Sequence, residues 1–414
     1  LDRENREKSW VPSIVVLSLG WLLLYATRTA LSSALKDIGD YWGLSQGFLG
    51  FLTSSFFLAY TILQIPSGFL ADKFGSRRVL LSGFGIQAAG LLLGAVSSSP
   101  YQFLLARVLT GAGQASYFAC QQAIVSFTVP AERRSLAMAI TTGGAGVGSA
   151  VGFVLGNFLS SAGYGWKTPF VALGIASAAF IFLVLAAVPN PRVRTSGSDA
   201  AEPSVSTKDD QPSSAAPWVF LALMSAAHFL SMYGFYVMLT WMPYYLETAR
   251  GLEGGLARVI PIVMPLIMAP ATIIGGTVAD RKQDKTFVLR CAMPVASVAI
   301  ALIPGMKSPA ALAFALGLYG ATGKLVIDPG LVASVAEHSP ARTRNTVLAL
   351  FNFWGACAMS VAPAVTGSIA QVTGSFDVSF YAAGLLNLFG LAAFLAGVKA
   401  VKKPISSSRS LTHS

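Results

Sequence analysis

Twelve long apolar runs constrain this chain more than any other feature. They lie at 11–35, 46–71, 78–98, 101–128, 135–161, 168–189, 217–246, 256–279, 287–305, 308–335, 345–373 and 377–399 of the 414 residues. A helix needs about 20 mostly apolar residues to cross a bilayer's hydrocarbon core. In that medium every backbone N–H and C=O must be satisfied within the protein, which leaves helices or a closed barrel. The runs do not alternate with period two, as barrel strands would. The fold class predicted is therefore an all-α membrane protein of twelve transmembrane helices. Only 11% of the residues are charged, against about 25% in soluble domains. The first run is too long for a signal-peptide core.

The net charge of +11 is not gathered into one basic face. It recurs in short clusters between runs, which argues for a membrane topology signal and against nucleic acid. One side of the predicted topology collects Lys73, Arg77, Arg78, Arg133, Arg134, Arg192, Arg194, Arg281, Lys282, Arg342, Arg344 and Lys402, among others. The other holds Lys36, Lys167, Arg250, Arg258 and Lys307. Both termini are accordingly expected in the cytoplasm, in a plasma membrane (a bacterial inner membrane). Three scattered cysteines, Cys120, Cys291 and Cys357, make neither a disulfide framework nor a metal-ligand spacing, and no cofactor or metal is expected.

The chain also repeats. Gly68-Phe-Leu-Ala-Asp72-Lys and Gly276-Thr-Val-Ala-Asp280-Arg are 208 residues apart; Pro130-Ala-Glu-Arg-Arg-Ser and Pro340-Ala-Arg-Thr-Arg-Asn are 210 apart. Two motifs at nearly one offset indicate two like halves, and such halves around a midplane site are the usual plan of a secondary transporter. The expected layout is an N-terminal segment 1–10, a six-helix half 11–189, a Ser-, Ala- and Pro-rich linker 190–216, a second half 217–399 and a tail 400–414.

Charges inside the runs are the candidates for function. Arg28 sits well within the first run, where a charge costs roughly 2.5–3.5 kcal/mol on insertion scales, so it should face a cavity or a partner. Arg107 and Lys324 are the other basic residues inside runs. Lys324 lies 210 residues after Gln114, and Asp328 follows it on the same helix face, within reach of an ion pair. That pair is either self-neutralised structure, or Lys324 joins Arg28 in holding an anion while Asp328 acts as a switchable counter-charge. His228 is a lone intramembrane histidine, either a satisfied core residue or a titrating site. Helix 5 reads Gly144-x-x-x-Gly148-x-x-x-Gly152-x-x-x-Gly156, a smooth face for close helix packing.

Gly68-x-x-Ala71-Asp72-Lys73-x-Gly75-x-Arg77-Arg78 resembles the signature loop between helices 2 and 3 of the major facilitator superfamily. With the half repeat, this implies two pseudo-symmetric six-helix halves that alternate access to a central site. The resemblance also implies a conformational latch of Asp72 with Arg77, and of Asp280 in the second copy. Tyr25-Ala-Thr-Arg28-Thr, Tyr60-x-x-x-Gln64, Arg107-x-Leu-x-Gly-x-Gly-Gln114-x-x-Tyr117, Thr240-Trp-Met-Pro-Tyr-Tyr and Asn352-x-x-Gly355 together resemble the anion:cation symporter family of hexuronate, galactonate, phthalate and vesicular-glutamate-type carriers. Organophosphate:phosphate antiporters share a helix 1 arginine and are the alternative. Drug or metabolite efflux is disfavoured, because helix 5 lacks the proline that antiporter relatives carry.

The implied substrate is a small organic anion, held by Arg28 with Tyr25, Tyr60, Gln64, Gln114, Tyr117, Tyr233, Tyr236, Lys324 and Asn352. Each polar residue of this set is equally suited to an interhelical hydrogen bond. Coupling would fall to Asp328 and His228, with a proton or sodium as coupling ion. The family's acids in helices 1 and 4 are replaced here by Thr27 and Gln114, which cannot titrate, so its proton route does not carry over. No nucleophile–base set or metal cluster supports an enzyme, and a monomer in the lipid bilayer is expected.

Overall fold

The computed structural model describes residues 10–130, 133–189, 218–252, 255–282, 285–339 and 344–402. The expected linker lies outside them, as do most of the expected N-terminal segment and tail. Among the described residues there are fourteen α-helices and no strand: α1 (Val11–Trp42), α2 (Gln46–Phe74), α3 (Ser76–Val96), α4 (Pro100–Gln114), α5 (Tyr117–Thr128), α6 (Arg134–Ser161), α7 (Thr168–Ala187), α8 (Trp218–Thr248), α9 (Gly255–Lys282), α10 (Lys285–Leu302), α11 (Pro309–Thr322), α12 (Lys324–Glu337), α13 (Arg344–Thr373) and α14 (Asp377–Lys402). Eleven helical stretches are long and apolar enough to cross a membrane by length and composition, with α11 and α12 forming one of them. The exception is the fourth expected run, which is two shorter helices. Ser67 Oγ donates to the Ala115 carbonyl at 3.0 Å, and Ser116 Oγ donates to the Gly113 carbonyl at 3.1 Å. Side-chain hydroxyls here take up carbonyls that the helical ladder would otherwise use.

Local sequence explains the helix ends. Ser45, Ser99 and Ser308 cap α2, α4 and α11 by accepting from Phe48, Gln102 and Ala311 N–H groups, and Pro100 and Pro309 occupy the first helical turn, where no donor is needed. Gly43 ends α1 in the left-handed region at φ 63°. The repeat extends to the helix breaks: Ala115, between α4 and α5, and Gly323, between α11 and α12, are again 208 residues apart.

The glycine face of α6 packs on α1, as its spacing predicts. A Cβ at Gly144 would run into the Ser18 carbonyl, one at Gly148 into Leu22, and one at Gly152 into Ala26. At this close approach Thr29 Oγ1 donates to the Ser149 carbonyl at 2.9 Å. Together these contacts fix the rotation of α1, and with it the direction in which Arg28 points.

The two ends of the bundle differ. Near Gly43 the halves are joined: Gly47 N donates to Gln371 Oε1 at 3.1 Å and Ala364 N to Ser54 Oγ at 3.0 Å; midway along α2, Thr61 Oγ1 donates to the Ala356 carbonyl at 3.2 Å. A Cβ at Gly50 would lie 3.0 Å from Ala364 Cα. The hydrogen bonds described between α2 and α13 all come from residues 47–61, the part of α2 nearer Gly43.

Candidate anion site

The cavity between the halves takes its walls from both. α1 contributes Trp21, Tyr25 and Arg28, α2 Tyr60 and Gln64, α5 Phe118, α8 His228, Met232 and Tyr236, α12 Lys324 and Asp328, and α13 Asn352, Gly355, Ala356 and Met359. It holds about 140 Å³. Toward the Gly43 end it is roofed by an edge-on ring pair that joins the halves, Phe57 with Tyr236 at 4.9 Å.

Arg28 is 5% exposed. Its Nε donates to Gln114 Oε1 at 3.1 Å, and Gln114 Nε2 in turn donates to the Leu24 carbonyl one turn back on α1, at 3.3 Å. Gln114 is thus a clamp that orients the guanidinium. Four rings surround the charge: Tyr25 at 4.8 Å, Tyr60 at 5.1 Å, Phe57 at 5.6 Å and Phe56 at 5.8 Å. Each such contact contributes about 0.5–2 kcal/mol, which offsets part of the desolvation penalty without cancelling the charge. Nη2 is buried with no hydrogen-bond partner. No carboxylate among the described residues forms an ion pair with Arg28. Such a site attracts an anion, and the planar fork suits a carboxylate in two-point contact.

The opposite wall is built differently. Lys324 Nζ meets Asp328 Oδ2 at 2.7 Å, and the other oxygen, Oδ1, lies 3.6 Å from His228 Nδ1. His228 is 3% exposed and stacks on Phe351 at 4.3 Å. Its partner lies 100 positions away in sequence, so helix periodicity could not reveal this contact.

Of the residues expected at the site, Tyr25, Arg28, Tyr60, Gln64, Tyr236, Lys324 and Asn352 line the cavity together with His228 and Asp328. Gln114 stands behind Arg28, outside the lining. Tyr117 and Tyr233 also stand outside it. The Tyr117 hydroxyl donates to the Leu17 carbonyl, and its ring packs edge-on against Trp21 at 5.3 Å and Phe84 at 5.8 Å, so it braces α1 against α5. Tyr233 is 5% exposed and borders Thr366. Trp21 and Met359 were missed, although spacing could have found them: Trp21, Tyr25 and Arg28 recur at i, i+4 and i+7, as do Asn352, Ala356 and Met359. Arg107 is 2% exposed, with its guanidinium 4.4 Å from the Phe56 ring. Arg28 lies 5.8 Å from the same ring.

The expected latch residues lie at the other end. Asp72 is exposed at the end of α2, and Arg77 donates to the Leu185 carbonyl of α7 rather than to Asp72. The side chain of Asp280 is outside the described residues.

Comparison with known proteins agrees with this architecture. The chain is 25% identical to a probable sulfoacetate transporter, SauU, of Cupriavidus necator, covering 96% of each. It is 26% identical to a hexuronate transporter of Bacillus subtilis, over 95% of this chain and 96% of that one. It is 27% identical to sodium-dependent phosphate transport protein 1, chloroplastic, of Arabidopsis thaliana, over 94% and 78%. The crystal structure of a bacterial homologue of the human lysosomal transporter Spinster, inward-facing and occupied, has the same fold, with a TM-score of 0.78 at 15% identity over 97% of this chain and 99% of that one. Residues 17–363 match the pattern of the Major Facilitator Superfamily, and the chain is therefore a multi-pass membrane protein that belongs to this superfamily of transporters, not an enzyme.

Proposed function

We propose that the protein is a secondary transporter that takes up a small organic anion, a carboxylate, by alternating access as an ion-coupled symporter. The observation that carries this reading is Arg28: a buried guanidinium, oriented by Gln114, ringed by aromatic side chains and without an acid among the described residues, on a cavity shared by both halves. The transporter names of the relatives, for sulfoacetate, hexuronate and phosphate, are all those of anions. Tyr25, Tyr60, Gln64, Tyr236 and Asn352 surround the bound anion, Lys324 is a second cation, and Asp328 with His228 serves coupling. Because basic residues crowd the Gly75 end (Lys73, Arg77, Arg78, Arg133, Arg134), that end is cytoplasmic, in a bacterial inner membrane. With the Gly43 end closed, the conformation described is then inward-facing. In this reading the Asp72–Arg77 latch belongs to the opposite state.

Uptake by purified protein in proteoliposomes tests this, using sugar acids, aromatic acids, dicarboxylates, amino acids and phosphate esters, with and without pH and sodium gradients. At least one carboxylate should accumulate, and Arg28→Gln should reduce its uptake to background. Failure of every anion refutes the reading. The alternative, exchange of organophosphates for phosphate, draws on the phosphate-transporting relative. It predicts that inorganic phosphate competes for uptake and drives counterflow.

A further inference from the structure

The two walls of the cavity differ in net charge. Arg28 brings one positive charge with no acid beside it among the described residues, whereas Lys324 and Asp328 neutralise each other at 2.7 Å. Asp328 Oδ1 and His228 Nδ1 face one another at 3.6 Å, and neither atom has a hydrogen-bond partner among the described residues. That separation is just beyond a hydrogen bond, and a small rotation of the carboxyl closes it. The Lys324 ammonium, 5.7 Å from the Phe235 ring, stays on the cavity wall when the carboxyl turns away.

We propose that Asp328 and His228 hold one exchangeable proton between Oδ1 and Nδ1, and that this proton sets the charge of the substrate: one anionic group without it, two with it. This rests on the anion-carrier reading above. The proton comes from solution through the cavity and no covalent bond is broken. The Lys324–Asp328–His228 cluster goes from zero to one positive charge. Asp328 turns to His228, and Lys324, relieved of its internal counter-ion, takes the second anionic group opposite Arg28. On release the proton leaves and Asp328 returns to Lys324. Other ionisable groups near the cluster are Tyr319 from α11, beside Asp328, and, around the same cavity, Tyr25 and Arg28 from α1, Tyr60 from α2 and Tyr236 from α8. α13 offers the neutral Asn352 and Gly355. α9 and α10 hold Arg281, Lys282 and Arg290 toward the Gly75 end, and Cys291 is exposed.

The test uses purified full-length protein and compounds matched except for one charge: succinamate with succinate, gluconate with glucarate, benzoate with terephthalate. Binding is read by isothermal titration calorimetry, and proton uptake from a pH dye in weak buffer. A dianion that binds should take up about one proton per protein, with Kd rising about tenfold per pH unit, the slope of one linked proton. Its monoanionic match should take up none. Asp328→Asn should abolish the uptake and flatten the pH dependence of the dianion. Dianion binding without proton uptake by the unmodified protein overturns the proposal, and that measurement needs no variant to fold. Monoanion binding with no dianion binding at acidic or neutral pH overturns it while leaving the anion reading intact. If no member of any pair binds, the anion reading fails, and this proposal with it.

Discussion

Arg28 is a cation that the protein insulates without neutralising, and this distinguishes it from Lys324. Arg28→Lys keeps the charge but loses the two-point fork and the contact with Gln114. It should weaken anion binding by about 1.4–2.8 kcal/mol, tenfold to a hundredfold in Kd, measured by titration at fixed salt. Gln114→Glu is a sharper test. A carboxylate in the place of Gln114 Oε1, 3.1 Å from Arg28 Nε, neutralises the guanidinium at neutral pH. Binding of a monoanion should therefore be lost at neutral pH and recover as pH falls and the new acid is protonated, so that a pH series of the monoanion's Kd gains a slope the parent lacks. At Lys324 the opposing roles separate by stability. Lys324→Met strands Asp328 in a low-dielectric wall and should cost about 3–5 kcal/mol, whereas Lys324→Met with Asp328→Asn should recover most of that loss in thermal unfolding.

At the scale of helices, α1 and α6 act as one body. A side chain at Gly148 would collide with the Leu22 backbone, one turn from Tyr25 and about two from Arg28. Gly148→Val should cost about 1–3 kcal/mol by overpacking and raise KM, because α1 must shift to accommodate it; a lower melting temperature with unchanged KM would refute the second part. This packing was legible beforehand, since glycine every fourth residue has few other uses in an apolar run. So were the runs, the repeat, the basic ends, and the pairing of Lys324 with Asp328, all of which depend on spacing within one segment. The break after Gln114 was not legible, because it depends on Ser67 of another helix donating to the Ala115 carbonyl. Nor could Tyr60, on the cavity, be told from Tyr117, behind it: both are polar residues at helical spacing from other polar ones, and only helix rotation separates them. His228 and Asp328 meet across α8 and α12, a contact that neither segment encodes alone.

At the scale of the whole molecule, closure at the Gly43 end and the cavity behind it fit one state of the alternating access proposed above. Gly47→Cys with Gln371→Cys, in a background with Cys120, Cys291 and Cys357 replaced, tests whether that end must open. A short reducible thiol cross-linker should cut uptake by roughly tenfold or more, and reduction should restore it, if the closed end gates access. Uptake that survives complete cross-linking would mean that this end stays shut through the cycle. The uncompensated Arg28 has a further consequence. Its charge travels with the N-terminal half, whereas the Lys324–Asp328 pair contributes none to the other. Under the alternating access proposed above, the unloaded carrier therefore reorients with a positive charge that a monoanion removes. In a cell whose interior is electrically negative, each elementary charge crossing the full field is worth about 2.3 kcal/mol per 100 mV. In the proposed cycle and orientation the membrane potential thus holds the unloaded site facing inward, and outward return becomes the step that voltage slows.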